Sequence, residues 1–263
     1  ACARRSLWDA SEMKRILVTL LLAVLSVMTG CMHFKRASVP RSLNIVFIGD
    51  SITYGYLLKQ PESEAPPVHA VEFLKGMPGI SSVRFVNCGR NGFRTDQFLP
   101  DRPNSAWPQV KQAADAFIKL PGSLVFSLML GANDSVSLTP VQYGNNLSAL
   151  VGALLEDYPR ARIIIHYPLW YSKVQSSRPE VLENYIPVID ALVGTLRQKL
   201  SAQVQVGDVY GWAYFEKNHE SACFKESRDH LPYYIHPNQQ GAKTLGLYWG
   251  EALYKRLIRQ SPD

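Results

Sequence analysis

Four short segments of the chain carry the residues whose types could perform chemistry together. They are Gly49–Thr53, Asn87–Phe93, Gly131–Ser135 and His236–Asn238. Between them they supply a hydroxyl group, glycine-rich backbone, a side-chain amide and an imidazole. A serine hydroxyl becomes a nucleophile when a positioned imidazole removes its proton, and amide donors stabilise the negative charge that then develops on a carbonyl oxygen. Each segment alone is a weak signal, so the case for this chemistry depends on the fold bringing them together.

Ser51 stands at an abrupt junction. The apolar run Leu43–Ile48 indicates a buried strand, and Gly49, Asp50 and Ser51 follow it directly. Open α/β sheets place their chemistry at the carboxyl ends of strands, which favours a nucleophile here. Asp and Ser are also the preferred residues for capping the amino end of a helix. The junction alone leaves both interpretations open.

The other three segments have equally simple alternatives. Gly89 and Gly92 could bend the backbone and present amide hydrogens into a cleft, or they could form only a tight turn. Asn133 could direct its amide at a developing negative charge, although Asn also caps turns and helices. His236 could act as a base, but the chain has five other histidines and a lone histidine is usually structural.

Strand-length apolar runs alternate with helical patterns along the chain. The predicted strands are Leu43–Ile48, Ser82–Asn87, Ser123–Leu130, Arg162–His166 and Val204–Val209. The predicted helices are Pro67–Met77, Pro108–Leu120, Val141–Tyr158, Pro179–Leu200 and Gln239–Arg259. This alternation predicts one α/β domain with a parallel sheet covered on both faces.

The composition excludes some partners. The 263 residues are 46% hydrophobic and 19% charged, which is typical of a globular protein. The net charge is +6, but no dense run of Lys and Arg is present, so no nucleic-acid partner is predicted. No group of Cys and His has the spacing of zinc ligands, so no metal is predicted either.

The amino end has the pattern of an export signal. Positive residues after Met13 precede an apolar run from Ile16 to Met28, which is shorter than the ~20 residues that span a bilayer. The end of this run resembles the lipobox of bacterial lipoproteins, in which Cys31 would receive a lipid, although Met28 replaces the usual leucine. An ordinary signal peptide cut elsewhere is the alternative. We therefore expect upstream residues and a signal peptide over 1–30 (Met13–Gly30), an anchor and linker over 31–42, and the α/β domain over 43–263.

Export would also allow Cys88 and Cys223 to form a disulfide. Two cysteines can equally be separate small apolar residues, and we expect them to be free and structural.

Taken together, the four segments, in this order, closely resemble the SGNH (GDSL-type) hydrolase family, from about Asn44 to Leu257. The resemblance implies a flavodoxin-like three-layer α/β/α sandwich around a central parallel sheet of about five strands. It also implies ester hydrolysis without a metal or organic cofactor. By the same resemblance, Ser51 is the nucleophile and His236 the general base. The backbone amides of Ser51 and Gly92 and the side chain of Asn133 match the oxyanion hole.

One position departs from the family pattern. Tyr233 stands where the family usually has the aspartate that orients the imidazole. Asp229 and Glu226 are the nearest acids upstream, and Asp229 is our candidate for the orienting acid. The alternatives are a backbone carbonyl holding the ring in a Ser-His dyad, or a relative that has lost its activity.

The resemblance is strongest to exported bacterial esterases that remove acetyl groups from carbohydrates. It implies an O-acetylated glycan or another small acyl ester as the substrate. The lipobox-like pattern at Cys31 implies a membrane-anchored location in the cell envelope, facing the periplasm or the cell surface. Three aromatic clusters could stack on sugar rings, although core packing explains such residues equally well. They are Tyr167–Tyr171, Tyr210–Phe215 and Tyr233–Tyr234. The alternatives are a lipid-directed esterase (a lysophospholipase or thioesterase) and a non-catalytic lipoprotein that binds glycans.

Overall fold

Five parallel strands form the centre of the fold. The computed structural model describes residues 41–172, 178–200 and 203–259, without the side chains of residues 199 and 259. The strands are β1 Arg41–Gly49, β2 Ile80–Asn87, β3 Ser123–Met129, β4 Arg162–Ile165 and β5 Val204–Val206. Their order in the sheet is β2-β1-β3-β4-β5, and every neighbouring pair is parallel.

Ten α-helices surround this sheet in the described part of the chain. They are α1 Ser51–Tyr54, α2 Pro61–Glu64, α3 Pro66–Lys75, α4 Trp107–Phe117, α5 Asp134–Ser137, α6 Pro140–Asp157, α7 Pro179–Glu183, α8 Tyr185–Leu200, α9 Gly211–Ala222 and α10 Gln239–Tyr254. A 3₁₀ turn covers Thr95–Phe98, and a π-helical turn, Lys255–Arg259, follows α10.

Helices pack on both faces of the sheet. Phe47 of β1 stacks on Trp249 of α10, with ring centroids 6.1 Å apart. The next position back, Val46, pairs with Phe126, whose ring lies 5.6 Å from that of Tyr158 at the end of α6. Because successive residues of a strand point to opposite faces, α10 and α6 cover opposite sides. The predicted three-layer α/β/α architecture with five parallel strands is therefore confirmed.

The strand order locates the crevice in which a site would be expected. The order 2-1-3-4-5 is that of flavodoxin-like folds. These folds bind ligands at the topological switch point between β1 and β3, where the strand order reverses direction. The residues that follow these two strands, Asp50 and Ser51 after β1 and Asn133 after β3, lie at the carboxyl edge of the sheet.

A helix and a hairpin were not predicted. Helix α9 covers most of the aromatic cluster Tyr210–Phe215, and a two-stranded antiparallel hairpin consists of β6 Glu226–Arg228 and β7 Leu231–Tyr233. The predicted helix Pro179–Leu200 is two helices that are separated at Asn184.

Two further observations concern export. Cys31 and the apolar run before it lie outside the described residues. Within the described ranges, none of the helices has the length and apolar character needed to cross a bilayer.

Cys88 and Cys223 are both buried and free, and burial raises the pKa of each thiol to about 12.

Candidate active site

The side chains of Ser51 and His236 meet at the carboxyl edge of the sheet. Ser51 Oγ lies 2.9 Å from Nε2 of His236, although the two residues are 185 positions apart in the chain. Ser51 is the first residue of α1, and Asp50 is its N-cap, with a carboxylate that accepts a hydrogen bond from the Ile52 amide at 2.9 Å. Each interpretation of the junction therefore applies to one of two adjacent residues. Asp50 caps the helix, and Ser51 faces the imidazole.

The backbone around His236 is fixed by the residues that flank it. The Phe224 amide donates to the carbonyl oxygen of His236 at 2.9 Å. Asn238, the N-cap of α10, accepts a hydrogen bond from the Gly241 amide at 3.0 Å and donates to the carbonyl oxygen of Ser221 at 2.8 Å. These bonds connect the segment between β7 and α10 to the end of α9, so the backbone at His236 is fixed before and after the residue.

The acid next to the imidazole is Glu226. Its Oε1 lies 2.8 Å from Nδ1 of His236, and the two side chains are 13% and 12% exposed. Tyr233, opposite Glu226 in the β6–β7 hairpin, donates its hydroxyl hydrogen to Oε2 at 3.0 Å. An ionised carboxylate can only accept, so this contact places the hydrogen on Nδ1 and leaves Nε2 free to accept from Ser51.

This geometry corrects the assignment of Asp229 as the orienting acid. Asp229 and His230 are the two central residues of the hairpin turn, and both have positive φ values, 50° and 64°. That combination is typical of a type I′ turn, whose tip lies away from the paired strands. Asp229 is accordingly exposed, while Glu226, three residues earlier, is on the strand that contacts His236.

Gly92 and Asn133 face the same space as Ser51. Asn133 Nδ2 donates to the carbonyl oxygen of Phe93 at 3.0 Å, which links the loop after β3 to the loop after β2. Gly92 has a φ of 76°, in the left-handed region that favours glycine, and a Cβ built there would have no atom within 4 Å. The backbone at Gly92 is therefore open to the cleft, as an amide donor to a ligand must be.

Gly89 has a different role from Gly92. A Cβ at Gly89 would lie 2.4 Å from the Tyr54 amide nitrogen, so only glycine allows this loop to approach α1 so closely. Asn87 reinforces the contact, because its Nδ2 donates to the Thr53 carbonyl oxygen at 2.8 Å and its Oδ1 accepts from the Gly89 amide at 2.9 Å. The loop that carries Gly92 is thus docked on the helix that carries Ser51.

A cleft of about 570 Å³ opens above these residues. The ring of Tyr56 packs against that of His236, with centroids 4.8 Å apart. Besides Ser51, Gly92, Asn133 and His236, the walls include aromatic, apolar and cationic side chains. They are Tyr56, Tyr171, Tyr233, Ala132, Val136, Ile235 and Arg228, with Asn91 at one side.

Two buried acids lie close to the site without lining the cleft. Burial raises the pKa of Asp50 to about 7, although the hydrogen bond from the Ile52 amide acts in the opposite direction. Burial likewise raises the pKa of Asp134 to about 6, opposed by hydrogen bonds from Thr95. In the ranges that the structure covers, no three or more His, Cys, Asp or Glu side chains are grouped so that they could hold a metal ion.

Sequence comparison places most of the chain within one family. Residues 47–244 match the sequence model of the GDSL-like lipase/acylhydrolase family. This range includes Ser51, Gly92, Asn133, Glu226 and His236. No curated protein matches the chain by sequence.

Solved structures of similar fold include several esterases. Est24, a carbohydrate acetylesterase from Sinorhizobium meliloti, has a TM-score of 0.51 at 17% identity, over 79% of this chain and 96% of its own. A two-domain esterase active on acetylated mannans has a TM-score of 0.52 at 19% identity, over 91% of this chain but only 55% of its own. A carbohydrate esterase family 2 enzyme from Corynascus thermopiles has a TM-score of 0.53 at 19% identity, over 81% of this chain and 66% of its own. At these identities the likeness shows the shared fold.

Proposed function

The chain belongs to the GDSL-like lipase/acylhydrolase family and is an ester hydrolase, and we propose that it removes O-acetyl groups from carbohydrates through an acyl-enzyme on Ser51. The observation that carries this proposal is the continuous contact from Ser51 Oγ to His236 Nε2, and from His236 Nδ1 to Glu226 Oε1. In this proposal Ser51 is the nucleophile, His236 the general base and Glu226 the orienting acid.

The first step is attack by Ser51 Oγ on the carbonyl carbon of the ester. His236 Nε2 accepts the hydroxyl proton as the new C–O bond forms, and the carboxylate of Glu226 stabilises the imidazolium that results. Tyr233 assists indirectly, because its hydrogen bond to Oε2 of Glu226 helps to hold the carboxylate beside Nδ1 of His236.

The tetrahedral intermediate places negative charge on the former carbonyl oxygen. In our proposal the amides of Ser51 and Gly92 and the Nδ2 group of Asn133 donate to this oxygen. Loss of one such donor costs roughly 3–4 kcal/mol of transition-state stabilisation in other hydrolases. The contact between Asn133 and Phe93 uses one of the two Nδ2 hydrogens and leaves the second for the oxyanion.

The intermediate then collapses to products in two stages. The imidazolium returns its proton to the sugar oxygen, the alcohol leaves, and the acetyl group remains on Ser51. Water then attacks the acyl-enzyme while His236 takes its proton. The bond between the acyl carbon and Ser51 Oγ breaks, His236 returns the proton to Ser51 Oγ, and acetate is released. Neither stage requires a metal or organic cofactor.

Two observations support a carbohydrate acetyl ester. The related structures include a carbohydrate acetylesterase and an esterase active on acetylated mannans. The aromatic rings of Tyr56 and Tyr233 also flank the catalytic imidazole in the cleft, where they could stack on a sugar face. Of the predicted aromatic clusters, Tyr233 and Tyr171 reach the cleft, whereas Phe215 is buried in the core.

Acetate release from acetylated xylan and mannan oligosaccharides tests this function. The panel should also contain 4-nitrophenyl acetate, 4-nitrophenyl palmitate and a lysophospholipid, with the Ser51→Ala variant as the control. We expect the wild type to release acetate from the glycans, with little activity on long acyl chains. Activity on long chains alone would favour a lipid-directed esterase, and glycan binding without turnover would favour the non-catalytic alternative.

We further propose that the protein is an envelope lipoprotein anchored through Cys31. The support is the sequence pattern of the positive residues, the apolar run and the cysteine. Expression in a bacterium with radiolabelled palmitate should label the wild type but not a Cys31→Ala variant. Equal labelling of both proteins, or of neither, would contradict the anchor.

A further inference from the structure

Arg228 is the only Asp, Glu, Lys or Arg side chain among the described residues that line the cleft. Every other polar group on its walls is a hydroxyl, an amide or the imidazole. A neutral acetyl ester presents no charge for a guanidinium group to bind, so the attack by Ser51 on such an ester does not explain an arginine at this position.

The hairpin fixes where Arg228 stands. Arg228 and Glu226 are alternate residues of β6 and therefore share one face of the ribbon. The opposite partner of Arg228 is Leu231, directly across the turn. The backbone that positions the acid next to His236 thus also places a guanidinium at the edge of the same cleft.

The carboxylate on the same face of the ribbon, that of Glu226, forms no ion pair with this guanidinium. Both oxygens of Glu226 already accept hydrogen bonds, one in contact with His236 and the other with Tyr233. Over the described ranges, Arg228 forms no ion pair with an Asp or Glu side chain, in contrast to Arg94, whose guanidinium pairs with Asp96 at 3.0 Å. The donors of Arg228 therefore remain available to a ligand in the cleft.

A guanidinium group binds a carboxylate through two parallel hydrogen bonds, with a geometry that ammonium groups cannot reproduce. We propose that Arg228 binds a carboxylate on the glycan, so that the preferred substrates are O-acetyl esters of acidic sugars such as uronic acids. The inference rests on the proposed function, because it assigns the substrate class of the same cleft. Since Arg228 is exposed, the interaction should also weaken as the salt concentration rises.

A matched pair of substrates tests this assignment. The pair consists of mono-O-acetylated methyl galacturonosides and the corresponding galacturonamides, which differ only in the charge at C6, each with acetate at O2 or at O3. We expect the wild type to prefer the carboxylate by about tenfold in kcat/KM, which corresponds to about 1.4 kcal/mol. The preference should arise mainly from KM and should decline between low and high salt.

Three variants isolate the contribution of the guanidinium group. Arg228→Gln should remove the preference and its salt dependence, and Arg228→Lys should keep a weaker preference. Lys225→Gln makes the same change of charge three residues away, at an exposed position outside the cleft, and should keep the full preference. Thermal unfolding of each variant checks that the fold is intact.

The results distinguish a failure of the proposed esterase function from a failure of the role assigned to Arg228. If the wild type releases acetate from neither sugar nor from 4-nitrophenyl acetate, the proposed function itself is wrong. If it hydrolyses both sugars equally, or if Arg228→Gln keeps the preference or lowers both rates alike, the assignment of Arg228 is wrong while the esterase activity stands.

Discussion

Replacing Glu226 with Gln separates the negative charge of this residue from its proposed role in orienting His236. Gln has nearly the same size, and its amide oxygen can take the place of Oε1 beside Nδ1 of His236. Its NH₂ group would then face the hydroxyl oxygen of Tyr233, which can accept a hydrogen bond. The variant therefore keeps the hydrogen-bond pattern and the tautomer of the imidazole but loses the negative charge.

The expected cost follows from that loss of charge. Hydrogen bonds to charged groups contribute about 1.5–3 kcal/mol, and both side chains here are nearly buried, at 13% and 12% exposed, so solvent screens the pair weakly. We therefore expect Glu226→Gln to lower kcat by about 10- to 150-fold, with a smaller change in KM. Glu226→Ala should cost more, because it also releases the imidazole ring.

Steady-state hydrolysis of 4-nitrophenyl acetate measures these changes, with Asp229→Asn as the matched control. Asp229 is exposed at the tip of the hairpin, so its substitution should leave kcat within about twofold of the wild type. A wild-type kcat for Glu226→Gln, or a larger loss for Asp229→Asn, would contradict the role proposed for Glu226.

Three further predictions concern the surroundings of the site. Tyr233→Phe removes the hydrogen bond to Glu226 Oε2 and should lower kcat on 4-nitrophenyl acetate by about 3- to 10-fold, and an unchanged kcat would contradict this supporting role. Asp50 has a folded pKa near 7, above its usual 3.8, so its contribution to the free energy of unfolding is fully present below about pH 4 and is lost as the pH rises through 7. Asp50→Asn should therefore raise the melting temperature more at pH 8 than at pH 4, and an equal effect at both pH values would contradict the burial argument. Gly89→Ala should lower the melting temperature more than Gly92→Ala. A Cβ at position 89 would lie 2.4 Å from the Tyr54 amide nitrogen, whereas a Cβ at position 92 meets no atom and only the positive φ causes strain there.

The sequence patterns predicted the sheet and its layers because the signals were local. Strands such as β1 and β3 are mostly apolar and buried, as is typical of parallel strands covered on both faces. Helix α9 was not predicted because its aromatic residues gave no clear helical period. The break between α7 and α8 at Asn184 was not predicted either, since the apolar pattern continues across it.

The candidate site was predictable only in part, for a physical reason. Ser51, Gly92, Asn133 and His236 belong to motifs that can be recognised one at a time, and the fold brings them to one cleft. The position of Glu226 beside His236 depends instead on a short hairpin. Its strands have three residues each, without alternating apolar residues. Its Asp-His turn also lacks the usual Asn-Gly or Asp-Gly signal. Arg228 reaches the cleft through the same hairpin, so its position was equally hidden from the sequence.

Covalent labelling of the native protein with a fluorophosphonate, followed by intact-mass analysis and peptide mapping, tests the assignment of Ser51 as the nucleophile. Such a reagent reacts with a serine whose hydroxyl is activated by a base. We expect a single adduct on Ser51 of the wild type, none on Ser51→Ala, and strongly slowed labelling of His236→Ala. Absence of an adduct on the wild type, or an adduct that persists in Ser51→Ala, would contradict the assignment of Ser51 as the nucleophile.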